Sequence, residues 1–471
     1  MVVPGYGLLQ LDLVTYNPKA KRTTDRMATF DLLIRNATCV SHRGVGQADI
    51  GVLGGKTSAI GDLSLANAAQ VIDATGLHLL PGVVDSQVHF REPGLEHKED
   101  LESGSRGAVL GGVTAVFEMP NTKPSTTTAE ALQYKLDRAL NRMWCDHAFY
   151  VGAAAENVEL LGELERLPGC CGVKLFMGAS TGDLLVHEDE TILRVLQSGS
   201  RRVSIHSEDE QRMRDRKGLA EEGNVLTHPV VRDDQSAIIA TQRLLNLARQ
   251  AGRRVHVLHI TTADEIDLLS RHKDIATVEV TPQHLTLAGP DCYEQLGTRA
   301  QMNPPIRDAR HRDGLWKGIA DGIVDVLGSD HAPHTLEEKA RPYPASPSGM
   351  TGVQTLVPIL LDHVNAGRLN LQQFVDLTSA GPARIWGMAG KGRLAVGWDA
   401  DYTIVDMKAS RTIEDGWIAS RVGWTPFDGR KVSAWPIGTI IRGQRVMWDG
   451  QLANAATGQP VRFNDTLRAY G

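Results

Sequence analysis

Eight apolar, strand-like runs lie along the middle of the chain, separated by segments with helical periodicity. The runs are nearly continuous in apolar residues, which is typical of parallel strands buried on both faces. Helical spacing is clearest over 130–143 and 233–252. The eight runs are 82–90, 113–120, 147–154, 172–178, 202–208, 254–262, 276–285 and 323–333. This α/β pattern predicts a (β/α)8 TIM barrel, whose active site lies at the carboxyl ends of its strands.

The segments at both ends of the chain have a different residue pattern, which predicts short strands joined by Gly and Asn turns. We therefore expect a small β-sandwich module formed by the N- and C-terminal segments. Residues 1–28 are polar and lack a clear period, which fits a disordered extension or an upstream start codon. The predicted organisation is 1–28 extension, 29–80 first part of the sandwich, 81–385 barrel, and 386–471 second part of the sandwich with a C-terminal tail.

Composition narrows the function classes. Lys and Arg total 50 against 56 Asp and Glu, a net charge of -6, so neither a nucleic-acid footprint nor a polybasic membrane patch is expected. No apolar run approaches the roughly 20 residues that span a bilayer. The five cysteines form no zinc-type pair, which favours reduced thiols in a cytoplasmic protein. We expect a small-molecule substrate and a homo-oligomer.

Side chains that can bind a metal fall near the ends of five runs. His89 closes the first run, Lys174 lies in the fourth, His206 ends the fifth, His259 ends the sixth and Asp330 ends the eighth. A single histidine is more often a core or surface residue. Five such residues near strand ends are much harder to attribute to chance. Imidazole and carboxylate suit zinc, so the sequence predicts a catalytic zinc site.

Lys174 needs its own explanation, because a protonated ammonium cannot coordinate a cation. Carbamylation by carbon dioxide would give it two anionic oxygens that can bridge two metals. The alternative is a lysine that reaches the surface, for which so apolar a strand leaves little room. Zinc makes hydroxide available near neutral pH, and Asp330 can carry the proton to a leaving nitrogen. These groups predict amide hydrolysis and, in reverse, ring closure.

Several motifs resemble the dihydroorotases of the amidohydrolase superfamily, in a class I-like form. They occur in the expected order, and the resemblance covers nearly everything after Phe30. Residues 391–406 resemble the C-terminal strand module of the same superfamily. The motifs are DSQVHFREPG (85–94), MPNTKP (119–124), GVKLFMG (172–178), HVLHITT (256–262), MNPPIR (302–307) and SDHAPHTLEEK (329–339).

The resemblance implies a centre of up to two metal ions. His89 and Asp330 match the ligands of the first metal, and His206 and His259 match those of the second. Lys174 matches the carbamate that bridges them.

The resemblance also implies contacts to the substrate. Arg91, Asn121 and His334 match a clamp for the substrate carboxylate, which their chemistry suits. Asn303 matches a contact to the pyrimidine ring. Glu279 matches a position that can bind an additional metal, and a plain strand carboxylate is the alternative.

One position departs from the family pattern. The usual His-x-His after the first strand is here Gln87-Val88-His89. Because a glutamine carbonyl is a weaker ligand than imidazole, we expect the first metal to bind less tightly or not at all. The expected content is therefore one or two Zn²⁺ per chain.

The activity implied is that of a dihydroorotase, which interconverts L-dihydroorotate and N-carbamoyl-L-aspartate in pyrimidine biosynthesis through metal-bound hydroxide. One alternative is an allantoinase- or hydantoinase-like cyclic amidohydrolase, although MPNTKP and the histidine of APH favour an acidic substrate. Another is a non-catalytic scaffold for aspartate transcarbamoylase. Gln87 keeps this alternative open, whereas the joint presence of Lys174, His206, His259 and Asp330 argues against it. The Pro-, Ser- and Gly-rich loop 341–352 is either a cover for the site or a surface connection.

Overall fold

A computed structural model describes residues 29–180 and 184–470 of the chain. The extension predicted over 1–28 lies outside the described residues. Every predicted strand run overlaps one strand of a parallel eight-stranded sheet. These strands are β6 (Val83–Val88), β7 (Val113–Glu118), β8 (Asp146–Gly152), β9 (Cys170–Phe176), β10 (Val203–His206), β11 (Val255–Val257), β12 (Ala276–Val280) and β13 (Val326–Leu327).

The sheet curls so that its first and last strands meet. Val88 at the end of β6 forms a parallel bridge with His331 beyond β13, and the His89 amide donates to the His331 carbonyl at 2.7 Å. The predicted (β/α)8 barrel is therefore confirmed. Its helices are α1 (Leu101–Leu110), α2 (Ala129–Ala139), α3 (Leu161–Leu164), α4 (Asp189–Gln197), α5 (Glu210–Arg216), α6 (His228–Val231), α7 (Asp234–Ala251), α8 (Ala263–Ser270), α9 (Pro282–Thr286), α10 (Asp291–Leu296), α11 (Ala309–Ala320), α12 (Leu336–Lys339), α13 (Leu356–Asn365), α14 (Leu371–Val375) and α15 (Gly381–Trp386).

Helix α7 shows how the local sequence sets its limits. Asp233 caps its start by accepting from the Ser236 amide, and Gly252 ends it at φ 65°, a conformation that glycine adopts without steric cost. One face, which includes Leu244 and Ala248, is buried. The helix matches the pattern over 233–252, and none of the helices in the described residues is long and apolar enough to cross a membrane.

The two ends of the chain form one nine-stranded sheet, as the sequence predicts. Strand β14 (Tyr402–Asp406) of the C-terminal segment pairs antiparallel with β5 (His78–Pro81) of the N-terminal segment. The strands of the N-terminal segment are β1 (Thr29–Ser41), β2 (Gly44–Leu53), β3 (Lys56–Gly61), β4 (Asn67–Asp73) and β5 (His78–Pro81). Those of the C-terminal segment are β14 (Tyr402–Asp406), β17 (Trp435–Ile441), β18 (Gln444–Trp448) and β19 (Gln451–Leu452). The domain limits at 80/81 and 385/386 stay predictions.

Buried ion pairs join this sheet to the barrel. The Lys391 ammonium lies 2.6 Å from Asp146 at the start of β8 and also pairs with Asp401, beside β14. Arg442, which follows β17, contacts the same Asp146 carboxylate. Strands β15 (Arg411–Thr412) and β16 (Lys431–Val432) form a separate pair, and the segment between them crosses toward the barrel, where the Trp424 indole donates to the His334 carbonyl at 2.8 Å.

Candidate active site

The carboxyl ends of the barrel strands surround a small cavity. Eight of the ten site residues predicted from the sequence line it: Gln87, His89, Arg91, Lys174, His206, His259, Asn303 and Asp330. The other two, Asn121 and His334, are buried behind this lining. The fold therefore brings together side chains from distant parts of the sequence, at the face where barrel enzymes carry their active sites.

The first group of predicted ligands surrounds Asp330. The His89 Nε2 atom lies 3.2 Å from Asp330 Oδ1, and the Gln87 Nε2 atom donates to the same oxygen at 3.0 Å. On its other side, His89 Nδ1 lies 2.8 Å from Asn121 Oδ1. Because that amide oxygen only accepts, His89 donates from Nδ1, and its Nε2 faces the carboxylate. Asn121 therefore orients His89, a contact that sequence reasoning did not anticipate.

The second group pairs His206 with His259. His206 Nδ1 lies 3.1 Å from His259 Nε2, and His206 Nε2 donates to Glu208 at 2.9 Å. Glu208 is fully buried and also forms an ion pair with Arg232. Burial alone would raise the pKa of Glu208, yet Arg232 and His206 together hold it well below its usual range. The charged carboxylate thus keeps the His206 proton on Nε2 and directs Nδ1 toward His259.

Lys174 lies between these two groups with its amine buried. Its side chain is 1% exposed, and its Nζ has no hydrogen-bond partner among the described residues. Burial lowers its pKa to about 7. Glu279 on β12 is also fully buried, accepts from Ser86 Oγ at 2.7 Å, and has a pKa raised by burial to about 8. The cavity is thus lined by a lysine whose pKa is lowered, and a carboxyl whose pKa is raised is buried on β12.

Three of the predicted site residues have strained backbone. Arg91, His259 and Asp330 lie in the left-handed region with φ of 64°, 37° and 47°. This region is unfavourable for residues with a Cβ and is retained mainly where the surroundings require it, often at functional sites. In each case the chain leaves its strand just before the residue, and the turn directs the side chain into the cavity.

The donor set fits a divalent cation. At typical Zn–N distances, two tetrahedral ligand nitrogens are about 3.3 Å apart. His206 Nδ1 and His259 Nε2 are separated by 3.1 Å, and Nδ1 has its lone pair directed into that gap. The unpartnered buried amine of Lys174 lies in the same cavity. Buried polar atoms normally have partners, so this arrangement indicates a bound group.

Arg91 is a charged residue of the cavity wall. It is 1% exposed, donates from Nε to the Pro333 carbonyl at 3.2 Å, and its Nη2 lies 3.2 Å from His334 Nε2. Burial lowers its pKa to about 10, which leaves it charged near neutral pH. No carboxylate within residues 29–180 or 184–470 forms an ion pair with it.

His334 stands behind Arg91. Its Nδ1 accepts from Lys98 Nζ at 3.1 Å, and its Nε2 donates to the Ser348 carbonyl at 2.9 Å. Burial and the neighbouring Arg91 lower its pKa to about 3, so the imidazole is neutral. In this arrangement both ring nitrogens are engaged with protein groups, and the contact to a substrate carboxylate stays a prediction for His334.

The loop over 341–352 forms part of the cavity wall. Ser348 and Gly349 line the cavity, and the loop is tied down because Lys339 Nζ donates to the Pro347 carbonyl at 2.8 Å. The Gly349 amide also donates to the Gln301 carbonyl at 2.9 Å. Across the cavity, the buried Asn303 Oδ1 has no partner in the described part of the chain. That oxygen can accept from a ligand N–H.

Two other groups were missed by sequence reasoning. Glu208 and Arg232 orient His206, and the available signal was a carboxylate two residues after a strand-end histidine. Donor atoms of Asp234, Asp264 and His311 lie within 4.8 Å of one another at the starts of helices. Asp264 is already paired with Arg310 at 2.9 Å, so this second group is satisfied by protein contacts.

A parallel barrel with imidazoles, a lysine and a carboxylate at the carboxyl ends of its strands has the architecture of a metal-dependent hydrolase. The family model for the amidohydrolase family matches residues 78–446. The chain belongs to the amidohydrolase family and is a hydrolase.

Relatives within the family carry different names. The chain is 35% identical to a dihydroorotase of Methanosarcina mazei over 446 residues, covering 91% of this chain and 96% of the relative. It is 34% identical to an allantoinase of Salmonella newport over 439 residues, covering 89% and 96%. The solved L-hydantoinase (dihydropyrimidinase) of Arthrobacter aurescens matches with a TM-score of 0.86 at 31% identity, covering 92% of this chain and 99% of that chain.

Proposed function

We propose that this protein is a dihydroorotase, which hydrolyses the ring amide of L-dihydroorotate to N-carbamoyl-L-aspartate and catalyses the reverse closure. The dihydroorotase relatives support this assignment. The observation that carries it is the Arg91 guanidinium, which is buried in the cavity wall and has no carboxylate partner in the described residues. A buried charge is costly unless it is paired, so the ligand is expected to supply the anion.

The carboxylate of the substrate is the group by which the site would distinguish dihydroorotate from related rings. L-Dihydroorotate carries an ionised carboxylate on its ring, whereas allantoin, hydantoin and dihydrouracil carry none. A bidentate guanidinium–carboxylate contact suits Arg91. Asn303 Oδ1 is a free acceptor on the same cavity and suits a ring N–H. Together these two groups would orient the ring with its amide toward Asp330.

Asp330 is the proposed general base and acid. Its Oδ1 is held by the Gln87 amide at 3.0 Å, and its Oδ2 makes no hydrogen bond within the described residues. The carboxylate would take a proton from the attacking water and return it to the ring nitrogen as the amide C–N bond breaks. The water oxygen becomes part of the new carboxylate, and in ring closure the same proton travels the other way.

Zinc is the proposed metal, held by His206 and His259 with a carbamate on Lys174, and with His89 and Asp330 available for a second ion. When bound, zinc supplies an activated water and polarises the carbonyl under attack. The Lys174 pKa of about 7 supports the carbamate, because only the neutral amine reacts with carbon dioxide. Glu279, tied to Ser86, is better suited to a structural role than to a metal.

The test is steady-state turnover by zinc-supplemented protein with L-dihydroorotate and dihydrouracil, two substrates with the same ring that differ in the carboxylate. We expect turnover of dihydroorotate and little or none of dihydrouracil, allantoin or hydantoin. Arg91→Met should raise KM for dihydroorotate by about 10- to 100-fold, since a hydrogen bond to a charged group contributes about 1.5–3 kcal/mol. Equal turnover of both rings, or an unchanged KM in the variant, would contradict the proposal.

The second candidate is a cyclic amidohydrolase for an uncharged ring, which the match to the L-hydantoinase structure favours. Preferential turnover of hydantoin or allantoin in the same assay would establish it. A non-catalytic scaffold is disfavoured because the imidazole pair, the buried amine and Asp330 line one cavity. Absence of turnover with every ring, in zinc-loaded protein, would restore that alternative.

A further inference from the structure

Gln87 presents a hydrogen atom to Asp330. Its side chain is 1% exposed, and its Nε2 lies 3.0 Å from Asp330 Oδ1. A carboxylate oxygen can only accept, so the amide nitrogen, and not the amide oxygen, must face it. The side chain that replaces the usual imidazole therefore offers Asp330 a donor where a metal ligand would offer a lone pair.

The remaining donors around Asp330 make a poorer zinc site than the imidazole pair, because they include only one imidazole. His89 Nε2 and Asp330 Oδ1 are available to a cation, and that oxygen already accepts from Gln87. Turning the Gln87 amide would bring Oε1 against Asp330 Oδ1, two acceptors in contact. Catalytic zinc sites have three protein ligands and prefer imidazole to an amide oxygen. Gln87 Oε1 is buried without a hydrogen-bond partner in the described residues, so a third ligand here could come only from that amide oxygen, which zinc binds less well than imidazole, or from the second oxygen of a Lys174 carbamate.

The other end of the site keeps a full ligand set. His206 and His259 offer two imidazole nitrogens 3.1 Å apart, and Glu208 fixes the tautomer of the first. The buried Lys174 amine has no partner in the described residues and can supply a third ligand as its carbamate. Three protein ligands leave one position open in a tetrahedral site, as a catalytic zinc requires.

We propose that the active site of this chain holds one zinc ion, bound by His206, His259 and the Lys174 carbamate, and that Gln87 takes the place of a second ion by holding Asp330 in position. The inference rests on the proposed zinc-dependent function and concerns only the number and place of the ions. In this arrangement the Gln87 amide, and not a second metal ion, orients Asp330 as the general base.

The number of ions is tested directly by metal content. The full chain is stripped with a chelator, reloaded with excess zinc and bicarbonate, freed of unbound ions, and analysed by plasma mass spectrometry. We expect about one zinc per chain for the wild type and about two for Gln87→His, which restores the third ligand. Gln87→Leu, of similar size but without a ligand atom, should stay at about one.

The place of the ion is tested by two histidine variants. His206→Asn should lose the zinc, whereas His89→Asn should retain it. Two ions in the wild type, one ion in both the wild type and Gln87→His, or loss of the ion from His89→Asn alone would overturn the inference. The wild-type count decides even if a variant fails to fold. If the wild type binds two ions and turns over dihydroorotate, only this inference is wrong. If it binds one ion and shows no turnover, only the proposed activity is wrong.

Discussion

Replacing Glu208 by glutamine should weaken zinc binding without touching a ligand. The carboxylate accepts from His206 Nε2 at 2.9 Å and from Arg232 Nε at 3.2 Å, and it is fully buried. Glutamine fits the space but removes the charge, and its NH2 group must face one of two donors. Hydrogen bonds to charged groups contribute about 1.5–3 kcal/mol, and neutral ones about half as much.

Loss of the charged acceptor that orients His206 should therefore cost about 1.4 kcal/mol of zinc-binding free energy, which is about tenfold in zinc affinity. Glu165→Gln is a matched control. Glu165 is also fully buried and pairs with Arg253 at 2.9 Å, yet it contacts no predicted ligand. Both variants should lose stability because each leaves an arginine without its counter-charge.

The assay is competition for zinc between apo-protein and a chromogenic chelator, with thermal unfolding measured in parallel. Glu208→Gln should release zinc about tenfold more readily than the wild type, and Glu165→Gln should not. Equal zinc affinity for the two variants would refute the argument that Glu208 sets the tautomer of His206. A large loss of affinity in Glu165→Gln would show that global stability, and not His206, controls the metal.

Three further predictions concern the base, the bridging lysine and a buried histidine. Asp330→Asn should lower kcat by about 10²–10⁴-fold and keep its zinc; normal turnover would remove Asp330 from the mechanism. Lys174→Ala should lose zinc and turnover together, and retained zinc by mass spectrometry would contradict the carbamate. Burial lowers the pKa of His147 to about 4, so the unfolded chain takes up a proton there below about pH 6.5, and folding stability falls with acid. Urea unfolding should therefore show His147→Gln gaining about 2 kcal/mol relative to wild type between pH 7 and pH 5, and a constant difference would contradict this.

Much of the fold could be predicted because the barrel strands carry their signal locally. Each run is apolar on both faces, and each overlaps a strand of the observed sheet. The predicted runs were too long at their carboxyl ends. The sixth run continued to 262 and the eighth to 333, whereas β11 ends at Val257 and β13 at Leu327. The backbone turns into the cavity at His259 and Asp330, which have positive φ. The residues there are still apolar enough to resemble a continuing strand, so the pattern alone does not mark the turn.

The environment of each functional side chain depends on contacts that no local pattern encodes. Arg91 and His334 are far apart in sequence. Only the fold shows that both ring nitrogens of His334 contact Lys98 and Ser348, while Arg91 has no ion-pair partner in the described part of the chain. Likewise, a glutamine in a ligand position is ambiguous in the sequence, since it has both a donor and an acceptor. The position of Asp330 resolves it, because a carboxylate oxygen at 3.0 Å selects the donor. Residue type thus predicts which groups meet, and their partners determine what each group can still bind.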